Sequence, residues 1–178
     1  SSAASDVYKR QTHLVEGGQT RAASSYEGLC SLSTSENLKV LIHDAARPFV
    51  SRELITRCLS ALDHFDAVSP TLPLDETIFE LLDERVQTIP DRSTHRKVQT
   101  PQGFKLHTIK VAHEEFHKDQ TFLPTDDCGI VLKYSPQTPI GVVNGDETNI
   151  KITYPTDMIL ARAIPVSYTH LRAHETGY

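Results

Sequence analysis

A short apolar run, Val40-Leu41-Ile42, breaks off into His43-Asp44-Ala45-Ala46-Arg47-Pro48, and this junction constrains the fold more than any other segment. A continuous apolar run of this kind reads as a buried strand. In open α/β sheets, ligands bind just beyond the carboxyl ends of the strands. Asp44 and Arg47 are therefore expected at the rim of such a sheet. An aspartate there suits a hard cation such as Mg²⁺ or a ribose hydroxyl. A guanidinium suits phosphate, through its planar fork of donors. Ala45 and Ala46 leave the backbone open to close approach. The plainer alternative is a strand end with a solvated ion pair.

The rest of the chain alternates strand and helix signals. Leu14–Glu16 reads as a short strand entering the Gly17-Gly18 turn, and Arg21–Leu32 as a helix with Ala22, Tyr26 and Leu29 on one side. Lys39–His43 is the buried strand. Ser51 caps a helix over Arg52–Leu62, followed by a strand at Ala67–Leu72. Glu76–Leu81 and Arg85–Ile89 flank the polar pair Asp83-Glu84, which predicts a hairpin arm over about residues 73–92. Gln99–Gly103 reads as a proline-containing turn before a helix over Phe104–Phe116. Thr125 caps a helix over Asp126–Tyr134. Ile140–Val143 and Ile150–Thr153 are strands, and Pro155 opens a last helix through Ile164. This alternation predicts an α/β layer fold with a mostly parallel sheet.

Composition narrows the function classes. The chain has 178 residues, enough for one domain with a real core, and 38% of them are hydrophobic. A net charge of -5 offers no global basic surface to a nucleic acid. No apolar run is long enough to suggest a membrane span, and no secretory signal is visible. The three cysteines, Cys30, Cys58 and Cys128, lack metal-ligand spacing, and their odd number suits a reducing compartment. Residues 1–11 and 165–178 share no apolar period with their neighbours. They resemble translated adapter read-through and are set aside as non-native.

Five segments in order carry a family resemblance. They are Gly17-Gly18-Gln19-Thr20-Arg21-Ala22-Ala23-Ser24, His43-Asp44-Ala45-Ala46-Arg47-Pro48, Asp91-Arg92-Ser93, Gln99-Thr100-Pro101-Gln102-Gly103-Phe104 and Asn149-Ile150-Lys151-Ile152-Thr153. Thr125-Asp126-Asp127 fits between the last two. Together they resemble 2-C-methyl-D-erythritol 4-phosphate cytidylyltransferase, with residues 12–164 as the matching domain. The resemblance implies a Rossmann-like nucleotidyltransferase sheet with a protruding arm. It implies transfer of CMP from CTP to a sugar-alcohol phosphate with release of pyrophosphate, in the non-mevalonate isoprenoid route, with Mg²⁺ as cofactor. Ribitol-5-phosphate cytidylyltransferase shares most motifs and is the nearest alternative; a non-catalytic nucleotide- or sugar-phosphate-binding fragment is the other.

Site residues follow from the same matches. Gly18, Gln19 and Ser24 are expected to read the base, although Gln19 stands where relatives often carry an acid. Asp44 is expected to hold metal and ribose, with Ala45 beside it against the substrate. Arg47 and Lys151 are expected to orient polar substrate groups; read alone, Lys151 is equally an edge-strand gatekeeper. Thr77 and Arg92 are expected to bind the acceptor phosphate in the neighbouring subunit of a homodimer joined through the arm. Read alone, Asp91-Arg92 is a solvated pair. Thr148 occupies the place before Asn149 where relatives often have an acid, which leaves a second metal ligand open, with Asp146 nearby. His43 is expected to be structural, and Asp126 and Asp127 to serve the helix dipole. Family members start with a strand and a glycine-rich loop for the CTP triphosphate. Ser1–Gln11 shows neither, so the chain is expected to be an amino-truncated, inactive fragment lacking the first βα unit. The expected location is the cytoplasm, or a plastid in a plant or alga.

Overall fold

The computed structural model describes residues 13–32, 38–119 and 121–164. The segments set aside as non-native lie outside them. In chain order the elements are α1 (Arg21–Cys30), β1 (Lys39–Ile42), α2 (Arg52–Ala61), β2 (Ala67–Pro73), β3 (Glu80–Leu82), β4 (Arg85–Thr88), a 3₁₀ turn (Arg92–Thr94), β5 (Arg96–Val98), β6 (Gln102–Lys105), α3 (Leu106–Lys118), α4 (Asp127–Tyr134), β7 (Ile140–Asn144) and α5 (Asp157–Ala163).

Alternation along the strands builds three layers. Val40, Ala67 and Phe104 turn to one face of the sheet, where Leu29 of α1, Leu106, Ile109 and Ala112 of α3, and Ile130 and Val131 of α4 cover them. Val68 and the half-buried Leu41 turn to the other, against Leu54, Cys58 and Leu62 of α2. Helices on both faces explain why β1 and the start of β2 read as unbroken apolar runs.

β1, β2 and β7 share one direction, because β2 pairs parallel with β7 and both β1 and β2 pair antiparallel with β6. β6 therefore threads against the main direction between β1 and β2, and the short β5 pairs antiparallel with the far end of β2. This is a mixed α/β sheet whose principal strands are co-directed. β6 also corrects the expected turn-then-helix at Gln99–Phe116. Gln102–Lys105 form a strand, and helix begins only at Leu106. Gly103 fits this crowded place because any Cβ would lie 2.8 Å from Val68 and 3.0 Å from Leu41.

Two expected strands are absent. Leu14–Glu16 is irregular, and so is Ile150–Thr153, whose backbone bonds to a loop when Ile152 N–H donates to the Ala46 carbonyl at 2.8 Å. The last helix starts at Asp157 rather than Pro155. Asp126, not Thr125, caps α4 by accepting from the Gly129 amide. Ser51 caps α2 as expected.

The arm is a two-stranded sheet of its own, β3 against β4. Its turn places Asp83 and Glu84 at φ 48° and 61°, the left-handed geometry of a tight two-residue hairpin. Leu81 and Val86 pair across the strands yet stay 60% and 50% exposed.

Candidate active site

The cleft starts from β1. The strand ends at Ile42, and the chain folds into a turn closed by Arg47 N–H donating to the Asp44 carbonyl at 3.0 Å. Beyond it a cavity of about 340 Å³ is lined by Arg21, Ser24, Ser25, Ile42, His43, Asp44 and Ala45. The site is thus at the carboxyl end of β1, the strand that ends the described sheet beyond β6, where ligands bind in open α/β sheets.

α1 forms one wall. Thr20 caps it, accepting from the Ala23 amide at 3.0 Å. The Ser24 hydroxyl turns back to the carbonyls of Thr20 and Gly18, at 3.0 and 3.3 Å. A Cβ on Gly18 would lie 2.4 Å from Ala23 Cβ, so this turn can lie against α1 only with glycine there. Gln19 is exposed.

Asp44 is the electrostatic centre. Arg21 Nε donates to its Oδ1 at 3.1 Å, and Lys151 Nζ lies 3.2 Å from its Oδ2. Burial alone would push its carboxyl up, but the bonds from Arg21 and Lys151 outweigh burial and hold it below the usual carboxylate range. The Asp44 amide donates to Thr100 Oγ1 at 3.0 Å, and that hydroxyl bonds His43 Nδ1 at 2.9 Å. His43 Nε2 meets the Arg47 carbonyl at 2.8 Å. A carbonyl only accepts, so Nε2 carries the proton and Nδ1 is free to accept from Thr100. His43 is a structural brace, as expected.

Arg47, expected to orient polar substrate groups, bonds two backbone carbonyls. Its Nη1 donates to the Asn149 carbonyl at 2.8 Å and its Nη2 to that of Val98 at 3.4 Å. It braces the loop that presents Lys151. Gln99 and Asn149 complete that brace, with Gln99 Nε2 on the Asp146 carbonyl and Asn149 Nδ2 on that of Thr100 at 2.9 and 2.7 Å. Asp146 commits both carboxylate oxygens, to Ser51 and to Arg57, and so clamps the loop. Thr77 and Arg92 stand apart from this cluster beside the arm, both exposed, with Arg92 Nη1 donating to the Asp75 carbonyl at 3.3 Å.

Sequence reasoning missed how Arg21 and Asp127 act. Arg21 Nη1 donates to Asp127 Oδ2 at 2.6 Å, which makes Arg21 a bridge between two carboxylates. A signal was present: a basic residue opening a helix with no acid in its first turn opposes the helix dipole and demands a tertiary partner. Asp127 is fully buried and does more than serve the dipole of α4. Burial raises its carboxyl, and the His113 bond and Arg21 charge bring it below the usual range.

Among the described residues, no three His, Cys, Asp or Glu side chains converge as a metal cage. Asp44 is a single carboxylate at the cleft. Mg²⁺ commonly takes one or two carboxylates together with substrate phosphates. The donor set fits such an ion, which Asp44 would hold from the protein side.

The fold and site define an α/β protein with a carboxylate, two cations and a glycine turn gathered at one strand end. The chain belongs to the 2-C-methyl-D-erythritol 4-phosphate cytidylyltransferase (IspD) family, whose profile matches residues 2–166. It is 39% identical over 163 residues to the enzyme of that name from Thermobifida fusca, covering 88% of this chain and 66% of that protein. It is 36% identical to the bifunctional ribulose 5-phosphate reductase/CDP-ribitol pyrophosphorylase Bcs1 of Haemophilus influenzae, covering 92% of this chain and 35% of that one. Among solved structures, the 4-diphosphocytidyl-2C-methyl-D-erythritol synthase of Anaerococcus prevotii superposes with a TM-score of 0.81 at 32% identity, covering 91% and 75% of the two chains. The chain thus spans two thirds or less of these two curated relatives. No helix among the described residues is long and apolar enough to cross a membrane.

Proposed function

We propose that the protein carrying these residues transfers a cytidylyl group from CTP to 2-C-methyl-D-erythritol 4-phosphate and releases pyrophosphate. The observation behind this reading is the meeting of Asp44, Arg21 and Lys151 at the cavity beside the Gly18–Ser24 turn, in a chain of this family. The attacking group is the acceptor's own phosphate oxygen, already ionised at neutral pH. The protein then needs no nucleophile, only alignment and charge stabilisation at the α-phosphate. The Gly18 backbone and Ser24 take the base. Lys151, half-exposed on Asp44, supplies a point charge for phosphate. Mg²⁺ on the triphosphate, held by Asp44, would neutralise phosphate charge. Arg47 acts through the loop it holds.

The arm supports a homodimer. An isolated two-stranded hairpin is marginal in water, and its exposed Leu81, Leu82, Val86 and Ile89 are suited to cover by a second copy. Thr77 and Arg92 would then reach the acceptor phosphate in the partner's cleft.

The second reading is ribitol 5-phosphate as acceptor, favoured by the Haemophilus relative. Steady-state pyrophosphate release by the full-length protein with each acceptor separates the two. Turnover with the methylerythritol phosphate and little with ribitol 5-phosphate is expected; the reverse order overturns the first reading. In the same assay Arg92→Ala should raise the acceptor KM about tenfold or more, since a charge-assisted phosphate contact is lost. An effect confined to the CTP KM would contradict this division of the cleft.

A further inference from the structure

A line of charged and polar groups runs from the core to the cleft. His113 on α3 and Asp127 at the start of α4 are both fully buried. His113 Nε2 lies 3.1 Å from Asp127 Oδ1, and Asp127 Oδ2 accepts from Arg21. Arg21 then reaches Asp44, whose other oxygen faces Lys151.

The chemistry of each link is fixed by what surrounds it. His113 Nδ1 is buried with no hydrogen-bond partner. The Asp127 carboxylate only accepts, so Nε2 carries the hydrogen of this contact. Arg21 places a full positive charge against Asp127. The contact of Arg21 to Asp127, at 2.6 Å, is shorter than its 3.1 Å contact to Asp44. A fork anchored on a buried carboxylate cannot close with both arms on Asp44. Asp44 keeps one oxygen for Lys151 and for ligand.

A buried carboxylate is a weak stability device, because desolvation offsets most of its pairing. What it supplies here is direction. We propose that Asp127, oriented by His113, is a positioning residue that sets Arg21 across the cleft and so keeps Asp44 aligned and only partly neutralised for nucleotide transfer. This rests on the cytidylyl-transfer reading. His113 and Asp127 touch no substrate; they act through Arg21.

The test is steady-state cytidylyl transfer by the full-length protein and its variants. Asp127→Asn keeps the shape and removes the charge that anchors Arg21. It should lower kcat about 10- to 100-fold, as misplaced active-site groups do, with the acceptor KM within about threefold. Arg21→Lys replaces a fork by a point charge that holds one carboxylate at a time, and should lose a similar factor. His113→Gln keeps an amide donor for Asp127 and should retain most of the turnover that His113→Leu loses. Parent-like kcat in Asp127→Asn or in Arg21→Lys overturns the proposal. Should Asp127→Asn fail to fold, Arg21→Lys decides, because Arg21 is part-exposed and outside the core.

A parent without cytidylyl transfer would remove the functional reading alone. The positioning claim is then read from the Arg21 Nε–H resonance in ¹H–¹⁵N spectra of this chain. Slow exchange in the parent that is lost in Arg21's spectrum on Asp127→Asn supports it, and an unmoved signal overturns it.

Discussion

Asp44→Asn should lower cytidylyl transfer by about 100-fold or more, about 2.7 kcal/mol of transition-state stabilisation, while leaving the fold intact. Asn keeps the shape and the backbone amide that donates to Thr100. It removes the charge on which Arg21 and Lys151 converge. Both cations would then lose the group that fixes their direction toward phosphate. The measurement is kcat at saturating CTP, with circular dichroism as the control for folding. Turnover within threefold of the parent, across Mg²⁺ concentrations, would remove Asp44 from the site.

The largest stability effect is expected at Phe104. It is fully buried at the centre of the sheet, paired with Val40 of β1 on one side and Ala67 of β2 on the other. Truncation to Ala deletes a ring from a layer closed by Leu29, Ile109 and Val131. The expected loss is about 3–5 kcal/mol, from lost transfer energy plus an unfilled cavity. Urea unfolding should show the midpoint fall with the slope unchanged. A loss below about 1 kcal/mol would mean that β6 is not a central strand.

β6 is also where the sequence was least legible. Gln102-Gly103-Phe104-Lys105 runs into Leu106 with no breaker between them, so strand and helix merge into one helical pattern. What makes it a strand is tertiary: empty pairing edges on β1 and β2 that no local signal reveals. Ile150-Lys151-Ile152 failed in the opposite way. Its alternation imitates a strand, yet its backbone is bonded to the Ala46 turn and braced by Arg47 and Gln99. The α1, α2, β1, β2 and arm signals were readable because caps, apolar period and turn chemistry agree with the final packing.

The site was legible where chemistry sits at a strand end. Asp44, Ala45, Ser24 and Gly18 gather at one cavity wall or beside it, and Lys151 joins them from a loop more than a hundred residues on. The carbonyl partners of Arg47 were not legible, because a guanidinium after a strand end serves phosphate and backbone carbonyls equally well, and only the loop's course shows which carbonyls it meets. His113 shares the buried face of α3 with Ile109 and Ala112. A histidine on an apolar face signals a partner but does not name it.

The most direct test of cytidylyl transfer is ³¹P NMR of the full-length protein with CTP, Mg²⁺ and 2-C-methyl-D-erythritol 4-phosphate. The three CTP signals should decay together, with pyrophosphate and a new diphosphate diester appearing in equal amounts, and neither should form without the acceptor. Release of inorganic phosphate with CDP, or intact CTP in the presence of folded protein, Mg²⁺ and acceptor, would contradict cytidylyl transfer.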